Sequence, residues 1–331
     1  MTSRERVQAV LAGRIPDRVP RFEVWIDALW RELGYQDPAD AYAGLGQDAI
    51  LMPTATELGV LGGRDGVDEF GRIWSGGFYS AGAVDSEADL ARFSPPLERA
   101  AGYFDASRIA AIKARYPHHV LMYGSHCGPF TAAYLSMGLP NFFLRLADDS
   151  GFVKKLLAAR TDWCLALFRE AVRRGAEVLV LGDDAGSKEG PMISPGLWRM
   201  LVWPYHRRIV EEAGAPVIWH SDGNIEALLP LAIEAGFAGV HGLEPAAGMD
   251  LAKIKREFGR DLALVGNIDV RVLGRPDLEA VRAEVSRCLA QGSPGGRFMI
   301  SSCNSIFAGL DPGAVAEMFR CQAELGEGGK P

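Results

Sequence analysis

The sequence predicts a (β/α)8 barrel, an α/β fold. Short apolar runs rich in β-branched residues recur along the chain, a polar or glycine-rich turn follows each, and a helical pattern then leads to the next. Eight runs read as strands: Val19–Trp25, Gln47–Pro53, His119–Gly124, Glu177–Asp183, Pro216–Ser221, Ala238–Leu243, Leu262–Asn267 and Arg297–Ser302. Their near-continuous hydrophobicity suits strands buried on both faces of a parallel sheet. Eight strands alternating with helices is the count of a closed barrel. An open doubly wound sheet would more often carry a GxGxxG turn after its first strand, and none occurs.

The intervening segments have helical spacing. Ile225, Leu228, Leu229, Ala232 and Ile233 share one apolar face, and Gly236 ends that helix. Leu278, Val281, Val285 and Leu289 make another, opened by Pro276-Asp277. Asp68–Phe78 reads as a small hairpin inserted between strands 2 and 3. No linker rich in proline, serine or charge divides the chain, so residues 1–331 are read as a single domain.

Composition narrows the function. The 331 residues are 48% hydrophobic and 23% charged, enough for a large core. The formal charge of −7 and the lack of any Lys/Arg cluster argue against nucleic acid as a partner. No apolar run reaches the roughly 18 residues of a membrane helix. The N-terminus passes from Met1 directly into a mixed helical pattern, so the expected location is cytoplasmic, with no membrane association. The five cysteines show no CxxC spacing; Cys164, Cys288 and Cys321 fall in helical patterns as packed residues.

In such a barrel the chemistry sits at the C-terminal ends of the strands. Those ends carry Glu23 and Trp25, Thr54 and Glu57, His126 and Cys127, Asp183 and Asp184, His220 and Asp222, His241 and Glu244, Asn267 and Asp269, and Cys303 and Asn304. His118, His119 and His206 read as peripheral. The concentration of polar groups predicts a site at the barrel mouth and names no reaction. His220, Asp222 and Cys303 offer one nitrogen, one oxygen and one sulfur donor, a set that suits Zn²⁺ with a fourth position open to substrate. Each also has a plain structural reading: Asp222 as cap of a helix starting near Asn224, Cys303 as a small core residue, His220 as a hydrogen-bonded wall group. Asp183-Asp184 suggests a general acid/base, a metal ligand or a charge held by backbone amides, with a solvated turn as the plain structural reading. Cys127 follows His126 directly, and neighbours on a strand point to opposite faces, which disfavours a Cys–His nucleophile.

Several stretches together resemble the uroporphyrinogen decarboxylase superfamily, which includes corrinoid-linked methyltransferases. They are Thr2-Ser3-Arg4-Glu5-Arg6-Val7, Pro16-Asp17-Arg18-Val19-Pro20, residues 182–195, Pro204-Tyr205, His220-Ser-Asp-Gly-Asn224, Glu234-Ala-Gly236 and Gly266-Asn-Ile-Asp269. The resemblance implies a TIM barrel and a homodimer. The decarboxylase proper carries Arg-Gln-Ala-Gly-Arg-Tyr after strand 1, whose arginines meet substrate carboxylates; here that place reads Arg21-Phe-Glu-Val-Trp-Ile-Asp27. Its aspartate after strand 2 is missing from Ile50-Leu-Met-Pro-Thr54, and its Gly-His near strand 8 is replaced by Cys303-Asn304.

The methyltransferase branch is more similar. Its zinc motif is His-x-Cys with a cysteine far downstream, matched here by His220 and Cys303, with Asp222 in place of the first cysteine. The harder oxygen donor also makes Fe²⁺ or Mn²⁺ thinkable. The resemblance therefore implies a metal-dependent methyltransferase that moves a methyl group between a small methylated substrate or thiol and a corrinoid such as methylcobalamin. Asp183, Asp184 and His220 would be catalytic; Trp25, Glu57, His126, His241, Asn267 and Asn304 would contact substrate; His220, Asp222 and Cys303 would hold zinc. The carrier motif Asp-x-His-x-x-Gly is absent, so the corrinoid would be a co-substrate, free or on a separate protein. Two alternatives stand beside this reading: a decarboxylase of a carboxylated tetrapyrrole-like substrate, and a non-catalytic corrinoid- or tetrapyrrole-binding barrel.

Overall fold

The computed structural model describes residues 1–54, 65–125 and 128–328. The strands are β1 (Ala49–Leu51), β2 (Gly66–Val67), β3 (Arg72–Ser75), β4 (Phe78–Gly82), β5 (Val120–Ser125), β6 (Val178–Gly182), β7 (Val217–Ser221), β8 (Gly239–Gly242), β9 (Ala263–Ile268) and β10 (Phe298–Ser302). β1 and β5 to β10 form one seven-stranded parallel sheet in the order β1-β5-β6-β7-β8-β9-β10. β6, β7, β8, β9 and β10 are buried at every residue, which is why their sequences lack alternation. Seven of the eight expected runs become strands of this sheet.

The eighth, Val19–Trp25, makes no regular ladder. On one side it forms a single parallel bridge from Arg21 to Ile300. The Phe22 N–H donates to the Ile300 carbonyl, and the Ile300 N–H to that of Pro20, both at 2.9 Å. On the other side Asp48 N–H donates to Arg21 O at 2.8 Å. Two side chains then stand in for backbone partners: Asp48 Oδ2 accepts the Arg21 N–H and Gln47 Oε1 accepts the Glu23 N–H, each at 2.9 Å. The segment thus links β10 to the start of β1, and the curled sheet is consistent with a TIM-like barrel. Asp48 is fully buried and is neutralised by Arg6 and Arg18, each 2.8 Å away.

The insertion is larger than expected. β2, β3 and β4 form a three-stranded antiparallel sheet between β1 and β5 in the chain. The Asp68 carboxylate organises its turn by accepting from the N–H groups of Phe70 and Arg72 and from the Trp74 indole.

The helices follow their caps. Asp277 accepts the Ala280 N–H and starts Leu278–Gly292. That helix buries Val281, Val285, Cys288 and Leu289, whereas Leu278, its first residue, stands 47% exposed and leaves the predicted face. A 3-10 turn at Glu226–Leu228 leads into Leu229–Ala235, and Gly236 ends it in the left-handed conformation. No helix among the described residues is long and apolar enough to cross a membrane.

Candidate functional site

β6 and β7 are neighbours, with Gly182 opposite His220. The alternation of side chains along each strand decides what enters the barrel. Trp219 faces the helical layer, stacked between Trp198 and Phe237 at centroid distances of 5.8 Å, so His220 turns inward. The same alternation separates the two adjacent acids at the end of β6. Asp183 points outward: Oδ1 accepts the Thr131 N–H at 2.7 Å, Oδ2 accepts the Phe130 N–H at 3.3 Å, and His206 Nε2 lies 2.7 Å from Oδ2. It is fully buried and caps the helix Pro129–Met137, whose own N-cap residue is Gly128. Asp183 is therefore a charge held by backbone amides, one of the readings open from the sequence, and is not at the mouth where a catalytic role was expected; His206, expected to be peripheral, is buried. The signal for His206 was its position four residues after Val202 and three before Ile209, on one buried helix face.

Asp184 points inward and meets His220 and Asp222. Nε2 of His220 is 3.5 Å from Asp222 Oδ1 and 4.0 Å from Asp184 Oδ1. Two residues beyond Gly182 and two beyond His220, the acids arrive level because their strands are in register. The loops behind them are clamped. Asp184 Oδ1 accepts the Asp222 N–H at 2.9 Å, and the Asn224 N–H donates to Ser187 O at 2.7 Å. Gly186 and Gly223 pack backbone against backbone there. A Cβ on Gly186 would fall 2.5 Å from Asp222 O, and one on Gly223, which has φ +75°, would fall 2.5 Å from the Gly186 carbonyl carbon.

The electrostatics of this corner are those of anions crowded together. Burial, followed by the Asp222 charge, pushes the Asp184 carboxyl up to about 7. Burial and then Glu244 push Asp222 up to about 6, against a bond from Asn304 that favours its charged form. Asn304 Nδ2 donates to Asp222 Oδ1 at 2.7 Å, and Glu244 Oε2 accepts the Gly223 N–H at 2.9 Å. Asp184, His220 and Asp222 offer ligand atoms all within 4.8 Å of one another, and they are the metal-compatible group among the described residues. The 3.5 Å between His220 Nε2 and Asp222 Oδ1 is near the donor spacing around a tetrahedral divalent ion, while the 4.0 Å to Asp184 Oδ1 is wider than that spacing. Two carboxylates that resist ionising side by side are also a donor set that a cation would relieve.

The third ligand expected from the sequence is corrected here. Cys303 does not join the group; Asp184 does. The Cys303 thiol is buried, accepts a bond from the backbone N–H of Val270, and is pushed well up by that burial. Asp222 is not a helix cap either, since Asn224 Oδ1 accepts the Glu226 N–H.

Of the other expected contacts, Trp25 is 2% exposed and sets its ring edge against His220 at 4.9 Å. His241 has no exposed surface; it stands opposite His220 in register, with the two Nδ1 atoms 2.8 Å apart. Asn267 is equally buried, its amide donating to the carbonyls of Leu243 and Met249 while Arg287 donates to its oxygen. His241 and Asn267 are therefore buried in the barrel wall. Asn304, half-buried, does reach the mouth. Glu57 and His126 lie outside the described residues. Arg21, the cation nearest to the decarboxylase's arginine stretch, turns its guanidinium to the carbonyls of Gly46 and Ala323.

Residues 77–325 match the family Uroporphyrinogen decarboxylase (URO-D). The chain is 28% identical over 171 residues to the methylated-thiol--coenzyme M methyltransferase of Methanosarcina mazei, covering 50% of this chain and 44% of that protein. It is 30% identical over 175 residues to the uroporphyrinogen decarboxylase of Saccharopolyspora erythraea, covering 49% and 46%. The matches thus span about half the length of these curated relatives. A solved structure of a methyltransferase from Methanosarcina mazei superposes with a TM-score of 0.79 over 98% of this chain and 99% of that one, at 21% identity, a likeness of fold.

Proposed function

The chain belongs to the uroporphyrinogen decarboxylase (URO-D) family, and on that premise we propose that it is a metal-dependent enzyme moving a methyl group between a small methylated substrate or thiol and a corrinoid co-substrate. The observation that carries this reading is the convergence of Asp184, His220 and Asp222 at the ends of adjacent strands. A polycarboxylated substrate needs cations to receive it, and this corner presents carboxylates. The similarity to a methylated-thiol--coenzyme M methyltransferase points the same way.

In this reading the two carboxylates and His220 Nε2 hold a divalent ion, with oxygen and nitrogen donors that suit Zn²⁺, Fe²⁺ or Mn²⁺. When bound, such an ion acidifies a coordinated thiol or polarises a methylated heteroatom. The chain's own residues do the rest. Asn304 orients Asp222 through its amide, and the Asp222 N–H orients Asp184. Trp25 and His241 pack against each other and against His220 on the inner side of the corner.

The test is a pair of assays on metal-replete protein. Methylcobalamin and a small-thiol panel should give thiol-dependent loss of the methylcobalamin spectrum, with one methylated thiol formed per cobalamin demethylated. Cob(I)alamin with methylated thiols reads the reverse. Consumption of uroporphyrinogen III with no methyl transfer in either direction would overturn the proposal in favour of decarboxylation.

A further inference from the structure

We propose that Glu23 is a positioning residue for the site. As a neutral carboxyl it donates to the Ser302 hydroxyl, which turns that hydroxyl's own hydrogen to the Asn304 carbonyl and fixes the loop whose amide orients Asp222. Glu23 belongs to the run Val19–Trp25 and has no exposed surface. It takes over where the backbone pairing with β10 stops. The Ile300 N–H donates to the Pro20 carbonyl, but the N–H two residues along, that of Ser302, donates to Glu23 Oε2 at 2.9 Å.

The hydrogens can be counted. Ser302 Oγ lies 2.6 Å from Glu23 Oε1 and 2.5 Å from the carbonyl oxygen of Asn304. A serine hydroxyl has one hydrogen, and a carbonyl oxygen can only accept. The Ser302 hydrogen therefore goes to Asn304, and the one between Ser302 and Glu23 comes from Glu23. A carboxyl that donates through Oε1 and accepts through Oε2 satisfies both contacts. The groups that act on it are neutral. Ser301 and Ser302 reach it through hydrogen bonds, and the nearby Tyr42 spends its hydroxyl hydrogen on the Val24 carbonyl. Burial favours the same uncharged form.

The loop after β10 is then tied at several points. Asn304 O accepts from Ser302, Asn304 Oδ1 accepts the Ser305 N–H at 2.6 Å, and the Ile306 N–H donates to Trp25 O at 2.9 Å. Asn304 Nδ2 is left directed at Asp222 Oδ1, 2.7 Å away. Were Glu23 ionised, the Ser302 hydrogen would turn back to the carboxylate and release the Asn304 carbonyl. Glu23 thus acts through Ser302 and Asn304.

The neutral carboxyl stands on these contacts alone, while its consequence for cation affinity rests on the site proposed above. The first arm of the test compares infrared spectra of the full chain and its Glu23→Gln variant at about pH 6, below the value of about 7 to which burial raises the group. The difference should contain the carbonyl stretch of a protonated carboxyl, shifted in D₂O; carboxylate bands in its place would overturn the inference. The second arm follows the Asn304 side-chain amide of the metal-free protein by 1H–15N correlation, assigned through its loss in Asn304→Ala. Its signals should move in Ser302→Ala and hold in Glu23→Gln, whose amide still donates to Ser302. Unmoved signals in Ser302→Ala, or equal movement in both, would overturn the route to Asn304. The third arm measures Zn²⁺ affinity by competition with a chromophoric chelator. Ser302→Ala should weaken binding about 10-fold, the lower end of what the outer partners of a ligand contribute. It should cost nothing further when added to Asn304→Ala, and Glu23→Gln should bind as wild type does. Additive losses, or none in Ser302→Ala, would overturn the positioning role. If wild-type protein binds no Zn²⁺, the cation reading fails, and the infrared and amide signals still decide Glu23.

Discussion

Asp184 Oδ1 accepts the backbone N–H of Asp222 at 2.9 Å. One acid of the site is therefore held by the very loop that carries the other. The carboxylates meet because β6 and β7 are adjacent and in register, and because their loops touch without intervening side chains. The geometry of the corner is set by backbone packing before any ligand arrives.

The clamp between Gly186 and Gly223 gives a first prediction. Gly223→Ala places a Cβ at a positive φ and against Gly186, and should cost about 1–3 kcal/mol of stability. Divalent-cation affinity should fall with it, since Asp222 shifts away from Asp184. Urea unfolding and cation titration of the same preparation check this; wild-type values in both would show that the clamp does not set the site.

Asp183 and Asp184 should behave as different kinds of residue despite their adjacency. Asp183→Ala strips the N-terminus of the helix Pro129–Met137 and leaves His206 unpaired in the core, a change of about 3–5 kcal/mol. Asp184→Ala should change stability little and abolish cation binding. Denaturant midpoints and metal content of the two variants give the comparison, and a destabilised Asp184→Ala beside an unaffected Asp183→Ala would reverse the assignment.

Glu23 predicts a pH dependence of stability. It is fully buried, accepts the N–H of Ser302 and meets its hydroxyl, and is pushed up from 4.5 to about 7, chiefly by burial. A carboxyl that holds its proton more tightly in the folded state stabilises the fold at low pH. That contribution is full below about pH 4.5 and is lost as pH rises through about 7, roughly 3 kcal/mol in all. Glu23→Gln should remove this slope. Unfolding free energies of both proteins from pH 4.5 to 8.5 measure it, and parallel profiles would contradict the prediction.

The comparison of sequence with structure divides along physical lines. Apolar runs located seven strands because burial on both faces leaves an unambiguous pattern. Val19–Trp25 looked the same and formed no ladder, because Asp48 and Gln47 supply acceptors that only the folded chain brings near. At the site, His220 and Asp222 were legible as donors at a strand end. Asp184 lies beside them because β6 and β7 are neighbours, whereas Cys303, although next to Asn304 at the same mouth, turns its thiol to the Val270 N–H. The register between β6 and β7 would have selected Asp184, and register is not written in a single strand's sequence. His241 was legible as polar and inward, but its role as a buried partner of His220 needed the two strands side by side.

The central claim is that Asp184, His220 and Asp222 together bind one divalent cation. X-ray absorption spectroscopy on zinc-replete wild type, with metal content measured in parallel, tests it most directly. About one equivalent should be found, with nitrogen and oxygen neighbours at about 2.0–2.1 Å and no sulfur shell; Asp184→Ala and Asp222→Ala should lose the metal and Cys303→Ala should keep it. Less than about a tenth of an equivalent in wild type, or a sulfur neighbour near about 2.3 Å that vanishes in Cys303→Ala, would contradict the assignment.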